Sequence, residues 1–185
     1  MLNRTIFFQQ LILNLQESLE RMAHPNLALI GALRQAASNL DHGAHYAWGH
    51  HGSCNCGHLL QVVTHLSKED ILRNAHTGIG EWTEIAESVC EVTDLPAHLM
   101  IARMQAIGLT PTDIHNLEYL QDRGVLESLP GGFQWLKKNC REDVALYFQT
   151  MASMLEEKLL ACIDLPEIST LPDNSSIQRE EANAV

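Results

Sequence analysis

The chain has 185 residues, 45% of them hydrophobic and 19% charged, with a formal net charge of −11. That length suits one domain whose core needs no disulfide staples. Twenty-three carboxylates against 12 Lys and Arg argue against sequence-independent nucleic-acid binding, which rests on cations that neutralise phosphates.

The opening residues test for a targeting segment. Ile6 to Leu15 is apolar, but Gln9, Gln10 and Asn14 interrupt it and no small-residue cleavage site follows. Phe8, Leu11, Leu15, Leu19 and Met22 recur at steps of three and four, which predicts an amphipathic helix over 4–22. His24-Pro25 ends it, because proline disfavours helical geometry in the residue before it. Leu27, Ile30, Leu33 and Ala37 mark a second helix that closes near Leu40.

Residues 41–56 show no period and carry Gly43, Gly49 and Gly52, so they read as a long loop. A third helix follows from about 57 to 66. Ser67 and Asp70 resemble a capping box and open a fourth. A fifth spans 81–90, with Trp82, Ile85, Ala86 and Val89 inward, and a sixth spans 96–107, with Gly108 as its left-handed terminator. Thr110-Pro111 supplies an N-cap and a first-turn proline for a seventh, expected to run to Gly124. After the turn at Pro130-Gly131-Gly132, a cap built from Asn139 and Glu142 opens the longest helix, which runs to about Ala161. Its apolar face is Val144, Tyr147, Phe148, Met151, Met154, Leu155 and Leu159. The first and last helices carry matching stripes and are expected to pack together.

Past 163 the chain is polar, acidic and aperiodic, which reads as a disordered tail. The expected division is a helical domain over 1–163 and a tail over 164–185. The fold class is all-α: a single-domain bundle of about seven to eight helices. No stretch reaches the roughly 18 apolar residues of a membrane span, so no membrane partner is expected. Five cysteines, an odd count at irregular spacing, suit a reducing compartment, and the expected location is cytoplasmic.

Function concentrates in one segment. Seven of the ten histidines and two of the five cysteines lie between His42 and His76. His42, His45, His50, His51, Cys54, Cys56 and His58 fall in one glycine-rich stretch. These are the side chains that bind borderline-soft metals and titrate near neutrality. The leading reading is a zinc site, with iron or nickel less favoured. It uses Cys54, Cys56 and His58, completed by His42, His45, His50, His51 or His76. His58 and His65 lie seven residues apart and are expected on one helical stripe. Cys-x-Cys is tighter than the usual Cys-x-x-Cys and can turn its sulfurs apart.

Two other readings stand beside it. Buried cysteine packs as a small hydrophobe, and loop histidines satisfy carbonyls, so the segment is then structural and the chain an interaction protein. Alternatively Cys54 is a nucleophile with Cys56 as its resolving thiol. A helix N-terminus and nearby imidazoles would make these the most reactive thiols of the chain. The sequence lacks His-Glu-x-x-His, Glu-x-x-His and the glycine patterns that cradle phosphates, so no nucleotide cofactor is indicated. The substrate class stays open, as does a second copy of the chain as partner. Tyr46, Trp48 and Trp82 are expected to fill the space under the loop. His115 and Glu118 read as a surface pair. The acidic runs at Glu81, Glu84 and Glu87 and at Glu156 and Glu157 read as solvated faces.

Overall fold

The computed structural model describes residues 23–75, 82 and 96–162. The helix expected over 4–22, most of that expected over 81–90, His76 and the expected tail lie outside the described residues. Seven helices and no strand form within them: α1 (Leu27–Asp41), α2 (Asn55–Thr64), α3 (Lys68–Ala75), α4 (Pro96–Ala106), α5 (Pro111–Tyr119), α6 (Arg123–Glu127) and α7 (Arg141–Ala161). Among them no helix is long and apolar enough to cross a membrane.

The partner of the last helix, among the described residues, is α1, and no other pair of helices packs so extensively. Leu29, Leu33, Ala36, Ala37 and Leu40 repeat at three and four, so they share one buried face of α1. Val144, Phe148, Met151, Ala152 and Leu155 form the matching face of α7. The small alanines let the two backbones approach while Phe148 and the leucines fill the space between. At the rim, Arg34 forks onto Glu156 at 3.0 and 2.6 Å. Gln149 donates to Asp41 at 2.7 Å. Glu156 lies on the solvated face expected of it and from there bridges the two helices.

Chain entry into α1 is pinned by side chains. Asn26 is the N-cap, and its Oδ1 accepts from the Leu29 N–H at 2.9 Å. Its Nδ2 donates to the carbonyls of His24 and Ile107 at 2.9 Å each. Gly108 closes α4 at φ +103°, beside that Asn26 amide. Thr110 caps α5 as expected, and Asp113 completes a reciprocal capping box with it. Asp113 also accepts from the Ala23 N–H at 3.0 Å. Burial raises the Asp113 carboxyl above the usual carboxylate range, although the bonds from Thr110 and Ala23 oppose this.

Four boundaries depart from the sequence reading. The third expected helix, α2, begins at Asn55, so Cys56 lies inside it and Cys54 is its N-cap. It ends at Thr64, because His65 turns left-handed at φ 57°. The seventh expected helix, α5, ends at Tyr119, where Leu120 takes φ 53°, and Gly124 sits instead within α6. Cys140, rather than Asn139, caps α7, and it makes no side-chain capping bond.

Phe148 is fully buried on the apolar face of α7. Phe148→Ala should lower unfolding free energy by about 3–5 kcal/mol in a urea titration. Arg34→Ala removes an exposed pair and should move the urea midpoint far less than Phe148→Ala does.

Candidate functional site

The His/Cys segment folds back on the helix that follows it. Gly43 and Gly49 turn the chain at φ 89° and 81°. The Ala47 N–H donates to Ser53 O at 3.1 Å, and the His50 carbonyl accepts from Ser53 and Cys54 N–H groups at 2.7 and 2.8 Å. The loop thus enters α2 tightly wound. A Cβ on Gly57 would overlap the His51 carbonyl, and one on Gly52 would overlap the Lys68 carbonyl. Only glycine allows these backbones to touch.

That packing places the candidate ligands. Cys54 is 3% exposed and donates from Sγ to the His51 carbonyl at 3.6 Å. Cys56 is fully buried and donates to the Ile114 carbonyl of α5 at 3.8 Å. The two sulfurs therefore face carbonyls on different elements. His58 is 3% exposed, and its Nε2 donates to the His45 carbonyl at 3.2 Å. In the neutral ring Nδ1 is then the lone-pair nitrogen. The ring stacks on Tyr46 at 6.1 Å. Burial holds the His58 imidazole below its ordinary range, with Lys68 adding to the effect and the His45 carbonyl opposing it.

The other histidines disperse. His42 is exposed and donates from Nδ1 to the Ser38 carbonyl at 2.7 Å. The His45 side chain is exposed. His51 meets the edge of Trp82 at 5.2 Å, and its carbonyl accepts from the Trp82 indole at 3.3 Å. His50 is half-buried, and its Nδ1 is buried with no hydrogen-bond partner, as is Ser53 Oγ. His65 is exposed, so the expected stripe with buried His58 does not form. Among the described residues no three His, Cys, Asp or Glu side chains gather closely enough to hold a metal ion.

Two residues outside the expected set organise the segment. Asn55 Nδ2 donates to the carbonyls of Leu117 and Glu118 at 3.1 and 2.7 Å, so it satisfies the last turn of α5. Tyr46 carries one hydroxyl proton and faces two acceptors, Asn55 Oδ1 at 2.6 Å and the Lys138 carbonyl. It links the loop, α2 and the connection before α7. Burial, with the nearby cysteines adding, pushes the Tyr46 phenol well above its ordinary range, so it remains protonated. Nothing in a Cys-Asn-Cys triplet singles out its asparagine. The only sequence signal is a polar residue on the first turn of a helix with an apolar face.

Trp82 is fully buried, as expected of a residue under the loop. Trp48 instead stands half-buried against Tyr119 at 5.8 Å, with Lys138 Nζ 4.3 Å from its ring centroid. Glu118 is 1% exposed and His115 packs on Tyr119 at 4.8 Å, which corrects their reading as a surface pair. An open recess of about 790 Å³ lies between residues 43–46 and 137–142, with Cys140 on its wall. Comparison with known families, curated proteins and solved structures found no match to this chain.

Three outcomes follow from this geometry. Gly57→Ala forces two backbones apart and should destabilise by about 1–3 kcal/mol in urea, the usual cost of overpacking. Peptide-resolved alkylation of the native protein should label exposed Cys162 and half-buried Cys140 first, with Cys54 and Cys56 protected until unfolding. This reverses the order expected from the sequence, because burial outweighs the helix N-terminus. A His58 that resists protonation when folded leaves the unfolded state binding more protons at acid pH. Stability should therefore fall as pH drops below about 6.5, the ordinary imidazole value, and level off below the folded value. His58→Gln should flatten that slope when urea midpoints at pH 7.5 and 5.5 are compared.

Proposed function

We propose that this chain is a helical interaction protein, a single-domain bundle whose His/Cys segment is structural. One observation carries the reading. Cys54, Cys56 and His58 are each buried, and each donates to a backbone carbonyl at a different place. Groups spent on carbonyls hold a loop to a core. A nucleophile needs an approach path, and Cys54 at 3% exposure has none, so no catalytic role is assigned to it. Contact is supported by the surface before α7. Trp135 is 75% exposed and Phe133 48%, edge-on to each other at 5.1 Å. Exposed aromatics of this kind are enriched where proteins meet partners. The absence of disulfide spacing fits a reducing, cytoplasmic setting.

The zinc reading remains as a second proposal, favoured by the unpartnered His50 Nδ1. It needs Cys54, Cys56 and His58 to leave their carbonyls and to converge with one of His42, His45, His50, His51 or His76. The experiment is elemental analysis of tag-free protein together with thermal unfolding in a chelator. The structural reading expects no stoichiometric metal and an unchanged Tm. A structural zinc site contributes on the order of 10 kcal/mol, so stoichiometric zinc with a collapse of Tm would overturn it.

A further inference from the structure

Lys138 is placed against two aromatic rings, unlike the other Lys and Arg side chains among the described residues. Its Nζ lies 4.3 Å from the ring centroid of Trp48 and 4.2 Å from that of Tyr119. The two rings meet at 62°, with centroids 5.8 Å apart, so they form two walls of a corner. His115 backs the Tyr119 wall at 4.8 Å. The chain holds 23 carboxylates against 12 Lys and Arg, yet no ion pair to Lys138 occurs among the described residues. Among the described residues its ammonium is held by π faces alone.

An ammonium with three N–H donors fits such a corner poorly, because the rings offer no strong acceptors and part of its hydration is lost. A methylated ammonium carries the same charge with few or no donors to satisfy. It is the better ligand for an aromatic corner. Withdrawing the ammonium needs only side-chain rotation, since residue 138 is half-buried rather than enclosed. The Tyr46 hydroxyl holds the Lys138 carbonyl, so the side chain can swing out while the backbone stays docked.

We propose that Trp48 and Tyr119 form a binding site for a methylated ammonium group, and that Lys138 occupies it as an internal stand-in. The ligand is either the side chain of a methylated lysine on a partner protein or a free small quaternary amine. Binding displaces the Lys138 ammonium into solvent. The net negative charge of the chain favours a cation in either form. This site shares no residue with the His/Cys ligand set, so it stands or falls separately from the reading above.

The test is a titration of ¹⁵N-labelled protein with tetramethylammonium chloride, read at the tryptophan indole N–H resonances. Sodium chloride serves as the ionic-strength control. Lys138→Gln removes the competitor and should bind at least tenfold more tightly than the parent chain. The Trp48 resonance should move saturably while that of Trp135 stays in place. Trp48→Leu should abolish the response. The neutral isostere 3,3-dimethylbutan-1-ol should not reproduce it. A dispersed spectrum of Lys138→Gln with no saturable shift at Trp48 overturns the proposal, as does equal binding of the neutral isostere. Should Lys138→Gln not fold, the parent chain decides. High tetramethylammonium must then move both Trp48 and the Lys138 side-chain signals, and failure to do so overturns the site. Choline and a trimethyl-lysine peptide separate the sources: tighter binding of the peptide assigns a partner protein, tighter binding of choline a small amine, and binding of neither overturns the proposal.

Discussion

The loop and the helices around it depend on two places where backbone touches backbone. Gly52 lies against Lys68 at the start of α3, and Gly57 lies against the His51 carbonyl inside the first turn of α2. Neither contact leaves room for a Cβ. Because the loop cannot lift away without opening both, its side chains are delivered to fixed places. Cys54 and Cys56 are turned to separate carbonyls, His58 is buried under the His45 carbonyl, and Trp82 reaches His51.

Once a loop is pressed onto a core, its polar backbone has to be satisfied without water. Here that task falls on side chains. Asn55 closes the last turn of α5, and Tyr46 sits between Asn55 and Lys138. Thiols and imidazoles take up further carbonyls. Histidine and cysteine suit this work because each is compact and offers a donor at neutral pH. Using them this way has an acid-side consequence, since a buried neutral imidazole makes folding oppose protonation.

The surface follows a different logic. Lysine in an acidic chain would ordinarily pair with a carboxylate, and Lys68 and the arginines at 34, 73, 123 and 141 do so. Lys138 instead rests on two aromatic faces in the connection that also exposes Phe133 and Trp135. The polar loop and the aromatic surface meet at Tyr46, which joins the structural interior to the connection that exposes Phe133 and Trp135.

The helices themselves were legible from spacing. Ile30, Leu33 and Ala37, or Val144, Phe148, Met151 and Leu155, announce a buried face through a period that any amphipathic helix shares, although Leu27, read with the first set, is 76% exposed. Caps at Thr110 and the Ser67–Asp70 pair are equally local, because a cap needs only its own next turn. Endings at His65 and Leu120 were not legible. Both take left-handed φ values that no glycine announces; Leu120 is buried in the core at that point, whereas His65 is exposed. The sequence by itself marked residues 42–58 as the segment where polar chemistry gathers, since composition is a local property. Whether those thiols and imidazoles turn toward one another or toward carbonyls depends on what lies opposite. Ile114 is 58 residues from Cys56 and Glu118 is 63 from Asn55, and only the folded chain brings them together.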